Sequence, residues 1–151
     1  MVTKMSEGKK REFDVVVYGA TGFTGREALR HLLSKPPQSL GRWAISGRDG
    51  GRLADLLATM APDRDDIAIL VADTSETDAM QGLAASTRVL VNLAGPYAKH
   101  GANILAACVE QRTHYLDLTG EIPWVRRMIE AYHREAERRR VKLVFLSLIH
   151  I

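Results

Sequence analysis

Short apolar runs alternate with amphipathic stretches along this chain, and most of the runs end at glycine or at a polar turn. Apolar, β-branched runs of this length indicate strands buried on both faces, whereas apolar residues repeating every three or four positions indicate helices. The six runs that predict strands are "FDVVVYG", "RWAISGR", "DIAILVAD", "RVLVNLAG", "THYLDLTG" and "VKLVFL". Helical patterns separate them, the fourth in "GANILAACVEQ" and the last from Ile122 to about Arg139.

Strands that alternate with helices in this way form repeated right-handed crossovers. The pattern therefore predicts an α/β fold with a doubly wound parallel sheet, the architecture of a Rossmann NAD(P)-binding domain. We expect the strand order 3-2-1-4-5-6, with a ligand crevice between the first and fourth strands. Residues 13–146 are predicted to form this domain, residues 1–12 a flexible tail, and residues 147–151 an atypical tail.

Composition narrows the function classes. With 46% apolar and 26% charged residues, the 151-residue chain has an ordinary globular composition. Its net charge of +3 comes from Lys and Arg interspersed with acids, so no nucleic-acid partner is predicted. No stretch approaches the roughly 20 apolar residues of a membrane span, and the N-terminus lacks the apolar region of a signal peptide. Cys108 is the only cysteine; we expect a buried structural thiol and a cytoplasmic location.

Three glycines at three-residue spacing join the first predicted strand to the first helix. In a dinucleotide-binding turn the first glycine permits the bend, the second lets a pyrophosphate approach the backbone, and the third allows close packing of helix and strand. The free N–H groups at the helix start attract phosphate, and two threonine hydroxyls could add contacts or cap the helix. The predicted cofactor-binding residues of this turn are Gly19, Thr21, Gly22, Phe23, Thr24 and Gly25.

The end of the second strand indicates which dinucleotide binds. A site for NAD usually carries an acid here, whereas this chain has Ser46, Gly47 and Arg48. A guanidinium can form a bidentate pair with the 2′-phosphate of NADP, so the predicted cofactor is NADP. Asp49 could instead reach a ribose hydroxyl, or cap the following helix.

Polar residues follow the third and fourth strands as well. Asp73 could accept a hydrogen bond from the adenine amino group or cap the next helix. At the fourth strand, Asn92 either lines the cofactor path or satisfies buried loop backbone, and Tyr97 could close over the nicotinamide. The predicted cofactor contacts of this segment are Asn92, Ala94, Gly95, Pro96 and Tyr97.

The sequence singles out no catalytic acid. Asp117, Thr119 and Glu121 follow the fifth strand on one side of the sheet. Glu121 is either an acid in the first turn of the next helix or a substrate contact. His100 lies on the crevice side too, but the five histidines show no ligand spacing with the cysteine, so no metal site is predicted.

Longer motifs carry a family resemblance. The segments "VVVYGATGFTGR", "RWAISGRD", "NLAGPYAKHG", "ACVEQRTHYLDLTGE" and "WVRRMIEAYHREAERRRVKLV" span roughly residues 13–144. They resemble the saccharopine dehydrogenase-like oxidoreductases, in particular the branch of trans-acting enoyl reductases of actinobacterial lipid synthesis. The resemblance implies an NADP-linked reductase of a small-molecule or lipid-like substrate, with hydride passing to an activated double bond.

The same resemblance implies a longer C-terminal part that completes the substrate site. That part is absent here, where the chain ends "FLSLIHI" instead of the family's cysteine-glycine and aspartate-serine-proline stretches. We therefore expect a truncated fragment that is inactive alone, with a natural short form as the alternative.

Two other classes of nucleotide-binding protein lack their motifs in this chain. A short-chain dehydrogenase needs a tyrosine with a lysine four residues later, and a P-loop needs a glycine-rich segment ending in lysine; neither occurs. A redox-sensing module that binds NADP without chemistry stays open as the alternative to a reductase.

Overall fold

The computed structural model describes residues 10–146 and confirms the predicted sheet. Six parallel strands are arranged in the order β3-β2-β1-β4-β5-β6. The predicted tails, residues 1–12 and 147–151, lie almost entirely outside the described residues, which leave out 1–9 and 147–151.

The strands are β1 (Phe13–Tyr18), β2 (Trp43–Gly47), β3 (Ala68–Val71), β4 (Thr87–Asn92), β5 (His114–Asp117) and β6 (Leu143–Phe145). The helices are α1 (Phe23–Leu33), α2 (Gly50–Met60), α3 (Thr77–Ser86), α4 (Tyr97–Gln111) and α5 (Ile122–Arg139), with a short 3-10 turn at Pro37–Ser39. The predicted start of α4 is wrong by one turn, because this helix begins at Tyr97 rather than Gly101.

The helices cover both faces of the sheet, and each face has its own core. One core holds side chains of α1 and α2 against β2, including Leu29, Ile45 and Leu53, none of which is exposed. The other holds α3, α4 and α5, with Met80 and Ile104 fully buried. Because both faces are covered, the strands read as continuous apolar runs rather than as alternating ones.

The strand register brings polar residues into one row at the carboxyl edge. Tyr18 of β1 lies between Ser46 of β2 and Asn92 of β4, and Asn92 in turn lies opposite Asp117 of β5. Beyond this row the chain leaves β1 and β4 in opposite directions, toward β2 and toward β5. This reversal creates the crevice in which doubly wound sheets bind ligands.

Candidate functional site

Two glycines of the turn after β1 are required by the fold itself. Gly19 has a φ of +83°, and a Cβ there would lie 2.8 Å from the backbone nitrogen of Ala94. A Cβ on Gly25 would overlap the Gly19 carbonyl oxygen. Both positions therefore exclude larger residues whether or not a ligand binds.

Gly22 differs from them because none of the described residues requires it to be glycine. A Cβ there would lie 3.4 Å from the Gly19 carbonyl oxygen, an ordinary contact, and the residue is exposed. Its N–H donates to the same oxygen at 3.1 Å, which closes the turn. The bare backbone at Gly22 thus faces outward, where a second molecule can approach it.

The N-terminus of α1 points into the same crevice and offers unpaired donors. Within residues 10–146 no side chain caps it, and no acid lies in its first turn, so the first N–H groups of the helix are available to an anion. Phe23 and Thr24 are exposed here, with Phe23 at 86%, while Thr21 is half-buried. Arg26, which no sequence motif singled out, donates from Nε to the Thr21 carbonyl oxygen at 3.1 Å.

At β2, Ser46 and Arg48 have different positions. Ser46 is fully buried, its hydroxyl donates to the Leu70 carbonyl oxygen at 2.7 Å, and its own carbonyl accepts from the Gly19 N–H. It therefore supports the glycine turn from beneath rather than facing the crevice. Gly47 is buried as well, whereas Arg48 is exposed beyond it.

Of the two roles predicted for Asp49, a ribose contact or a helix cap, the structure shows the cap. Its carboxylate accepts from the Arg52 N–H at 3.0 Å, which caps α2. Arg48 forms no ion pair with any carboxylate in residues 10–146. The guanidinium of Arg48 is therefore the charge left available at the end of β2.

Asp73 lies on the same side of the crevice, after β3. One of its carboxylate oxygens accepts from both the N–H and the hydroxyl of Ser75, each at 2.8 Å. These hydrogen bonds lower the pKa of Asp73, and the nearby charges of Arg48 and His100 lower it further. Asp73 thus stabilises its own turn, and the charge of Arg48 favours its ionised form.

Asn92 belongs to a buried polar network at the ends of β4 and β5. Its side-chain oxygen accepts from the Ala94 N–H at 3.1 Å, and its amide donates to the Tyr115 hydroxyl at 3.1 Å. That hydroxyl donates to Asp117 at 2.8 Å. Burial raises the pKa of both Tyr115 and Asp117. Asn92 therefore satisfies buried loop backbone, the second of its predicted roles.

Tyr97 is buried, although its position after β4 predicted that it could close over the nicotinamide. Its ring packs 5.7 Å from that of Trp124, centroid to centroid, and its hydroxyl donates to the Asn92 carbonyl oxygen at 3.0 Å. The residue is only 8% exposed because its ring fills the core beneath α4. The exposed surface of this loop is instead formed by Gly95 and Pro96, with Ala94 half-buried.

The carboxylate of Glu121 lies at the start of α4 rather than in the first turn of its own helix. One oxygen of its carboxylate accepts from the Tyr97 N–H at 2.7 Å and the other from the Ala98 N–H at 2.9 Å. Its own N–H donates to the hydroxyl of Thr119 at 3.1 Å. Glu121 therefore caps α4, a helix that precedes it in the chain, and ties the loop after β5 to the loop after β4.

We expect Tyr115→Phe to lower the free energy of unfolding by about 1–3 kcal/mol, because the amide of Asn92 and the carboxylate of Asp117 each lose a buried partner. Tyr132→Phe, at a half-buried tyrosine of α5, is the control and should change stability far less. Urea denaturation measures the free energy of unfolding of both variants. If Tyr115→Phe lowers it no more than Tyr132→Phe does, the network does not stabilise the fold.

Other groups in the described part of the chain do not enlarge the site. Cys108 is completely buried, and burial raises the pKa of its thiol, as expected of a structural cysteine. Within residues 10–146, no His, Cys, Asp and Glu side chains are grouped so as to hold a metal ion. None of the helices described there is long and apolar enough to cross a membrane.

Comparisons with known proteins assign the chain to a family. The family model described as the saccharopine dehydrogenase NADP-binding domain matches residues 15–144. The trans-acting enoyl reductase of Mycobacterium leprae is 39% identical over 127 residues, which make up 84% of this chain and 30% of that protein. The chain thus spans about 30% of the length of this curated relative.

Two solved structures share the fold. Apo saccharopine dehydrogenase of Saccharomyces cerevisiae superposes with a TM-score of 0.67 at 14% identity, over 87% of this chain and 26% of that one. Triphenylmethane reductase of Citrobacter sp., in complex with NADP(H), gives 0.64 at 19% identity, over 89% and 49%. These two structures are similar to the chain in fold alone. The family model, in contrast, matches most of the sequence, so the chain belongs to the saccharopine dehydrogenase NADP-binding domain family.

Proposed function

We propose that the chain holds NADP(H) across the carboxyl edge of its sheet, with the pyrophosphate on the turn at Gly22. The observation that carries this proposal is that Gly22 is open to solvent at an uncapped helix start, although the fold does not require glycine there. A backbone cradle of this kind suits a doubly charged diphosphate. The cofactor therefore fits the residues present.

The remaining contacts follow from their positions. Thr21, Phe23, Thr24 and Arg26 surround the pyrophosphate, and Arg48 pairs with the 2′-phosphate. Asp73 lies at the adenine end. The surface formed by Ala94, Gly95 and Pro96 borders the nicotinamide end, while Ser46, Asn92 and Tyr97 hold these loops from within.

We further propose that the complete protein is an oxidoreductase that reduces an activated double bond of a lipid-like substrate in the cytoplasm. The identity to a trans-acting enoyl reductase supports this activity. NADPH bound at the site would supply the hydride, and residues beyond the matched 30% of such relatives would complete the substrate pocket.

A non-catalytic NADP-binding module is the second candidate, and one observation favours it. Tyr97, His100 and Glu121 all follow strands at the crevice end of the sheet, but Tyr97 and Glu121 are engaged in internal hydrogen bonds. Only His100 stays exposed. Tyr97 and Glu121 thus hold the domain's own loops, as a module that binds a dinucleotide without chemistry would require.

Calorimetric titration of the chain with NADPH tests the proposed binding. We expect one molecule bound per chain, and a stabilisation of about 2.7 kcal/mol against urea at 100 times the dissociation constant. An absence of binding would refute the proposal. Consumption of NADPH by the complete protein with an enoyl thioester would support the reductase, whereas equal binding of both redox forms without turnover would support the binding module.

A further inference from the structure

The carboxylate of Glu121 makes a bridge across the crevice side of the sheet. It accepts from two consecutive backbone N–H groups, those of Tyr97 and Ala98, which lie 24 and 23 residues earlier in the chain. Its backbone is held in turn by the Thr119 hydroxyl, and Thr119 is 1% exposed. The loop between β4 and α4 is therefore fixed by the loop between β5 and α5.

The position of Arg48 decides which half of the cofactor this loop meets. Arg48 follows β2, so the 2′-phosphate and its adenosine lie on the β2 and β3 side of the crevice. In a doubly wound sheet the other nucleoside lies on the opposite side, over β4 and β5. The surface there is the loop of Ala94, Gly95 and Pro96, whose end Glu121 holds at Tyr97.

The same contact also decides where negative charge can bind. The helix dipole makes the N-termini of α1 and α4 attractive to anions. At α4 the Glu121 carboxylate already accepts from two first-turn N–H groups, whereas α1 has no side-chain cap from the part of the chain that the structure describes. A diphosphate is therefore directed to α1, and the uncharged nicotinamide is left to the surface next to α4.

We infer that Glu121 is a positioning residue for the nicotinamide half of NADP(H), acting through the Gly95–Pro96 loop without touching the cofactor. The inference deepens the proposed function and rests on it. It predicts that loss of the carboxylate weakens ligands that contain nicotinamide and spares those that end at the adenosine half.

The test compares the dissociation constants of NADPH and adenosine 2′,5′-bisphosphate for the wild-type chain and Glu121→Gln. A glutamine presents one acceptor and one donor to two N–H groups, so one hydrogen bond to a charged group is lost and two donors face each other. We expect NADPH to bind about tenfold more weakly, because binding must then also order the loop that the lost hydrogen bond held, at about the cost of one such bond. Adenosine 2′,5′-bisphosphate should change by less than about twofold.

Glu130→Gln is the matched control, because Glu130 is an exposed glutamate on α5 and should leave both constants unchanged. If Glu121→Gln does not fold, judged by circular dichroism, Thr119→Val removes the acceptor that orients Glu121 and should show the same selectivity with a smaller loss. Equal weakening of both ligands, or none, would overturn this inference alone. A wild-type chain that binds neither ligand would overturn the proposed function together with it.

Discussion

NADPH binds about a hundredfold more weakly to the Gly22→Val chain than to the wild type, if the pyrophosphate lies on this turn. The valine side chain would occupy the space outside the turn and keep the diphosphate from the free N–H groups of α1. The expected factor corresponds to the loss of about two charge-assisted hydrogen bonds. Calorimetric titration of both proteins measures it.

The structure makes this substitution unusually informative because the fold tolerates it. The extended backbone at Gly22, with φ −73° and ψ 172°, suits a β-branched residue, and its Cβ would meet only one atom at ordinary distance. The free energy of unfolding should therefore fall by no more than about 1 kcal/mol, the cost of replacing glycine by valine at the N-cap of α1. Gly82→Val, in α3 where a Cβ would meet nothing within 4 Å, is the control and should keep full affinity. Unchanged NADPH binding by Gly22→Val would exclude the proposed cradle.

Arg48→Ala should weaken NADPH by about ten- to a hundredfold and leave NADH nearly unaffected. The pairing of this guanidinium with a phosphate contributes about 1.5–3 kcal/mol to the binding free energy, and NADH lacks that phosphate. Titrations with both dinucleotides give the ratio directly.

Arg52→Ala is the control for charge alone, because Arg52 is exposed on the neighbouring first turn of α2. It should reduce NADPH affinity only slightly. If Arg48→Ala lowers the affinity for NADPH and NADH equally, the arginine does not recognise the 2′-phosphate and another residue selects the cofactor.

The fold could be predicted from the sequence because the strands of a parallel sheet buried on both faces have a recognisable hydrophobic pattern. Each strand is a short apolar run, and the crossovers between them have one hand. The expected strand order rests on the glycine turn after β1, because in a doubly wound sheet of this kind the order in which strands are added reverses beside β1. The six strands and their order are confirmed.

The start of α4 could not be predicted because its cap is remote. Local signals place a capping side chain beside the helix that it caps. Here the residue before α4 is Pro96, which makes no side-chain cap, and the acceptor is Glu121 from the loop after β5. Only the folded sheet brings these two loops together.

Tertiary packing also separates residues that look alike in the sequence. Gly19, Gly22 and Gly25 share one motif, yet only Gly22 is free of internal constraint. Asn92 and Tyr97 carry the polar groups expected of cofactor contacts, but the core takes up both side chains. Residues distant in the chain, such as Trp124, determine which face of a loop is buried. The spacing of residues within the loop therefore does not predict that face.

The remote cap on α4 has a consequence for protein engineering. A designer who grafts the segment from Asn92 to Ala98 onto another scaffold would transplant a helix start whose two leading amides have lost their counterpart. The transferable unit is discontinuous and includes the stretch from Asp117 to Glu121, so chimeras of this family should exchange both pieces together.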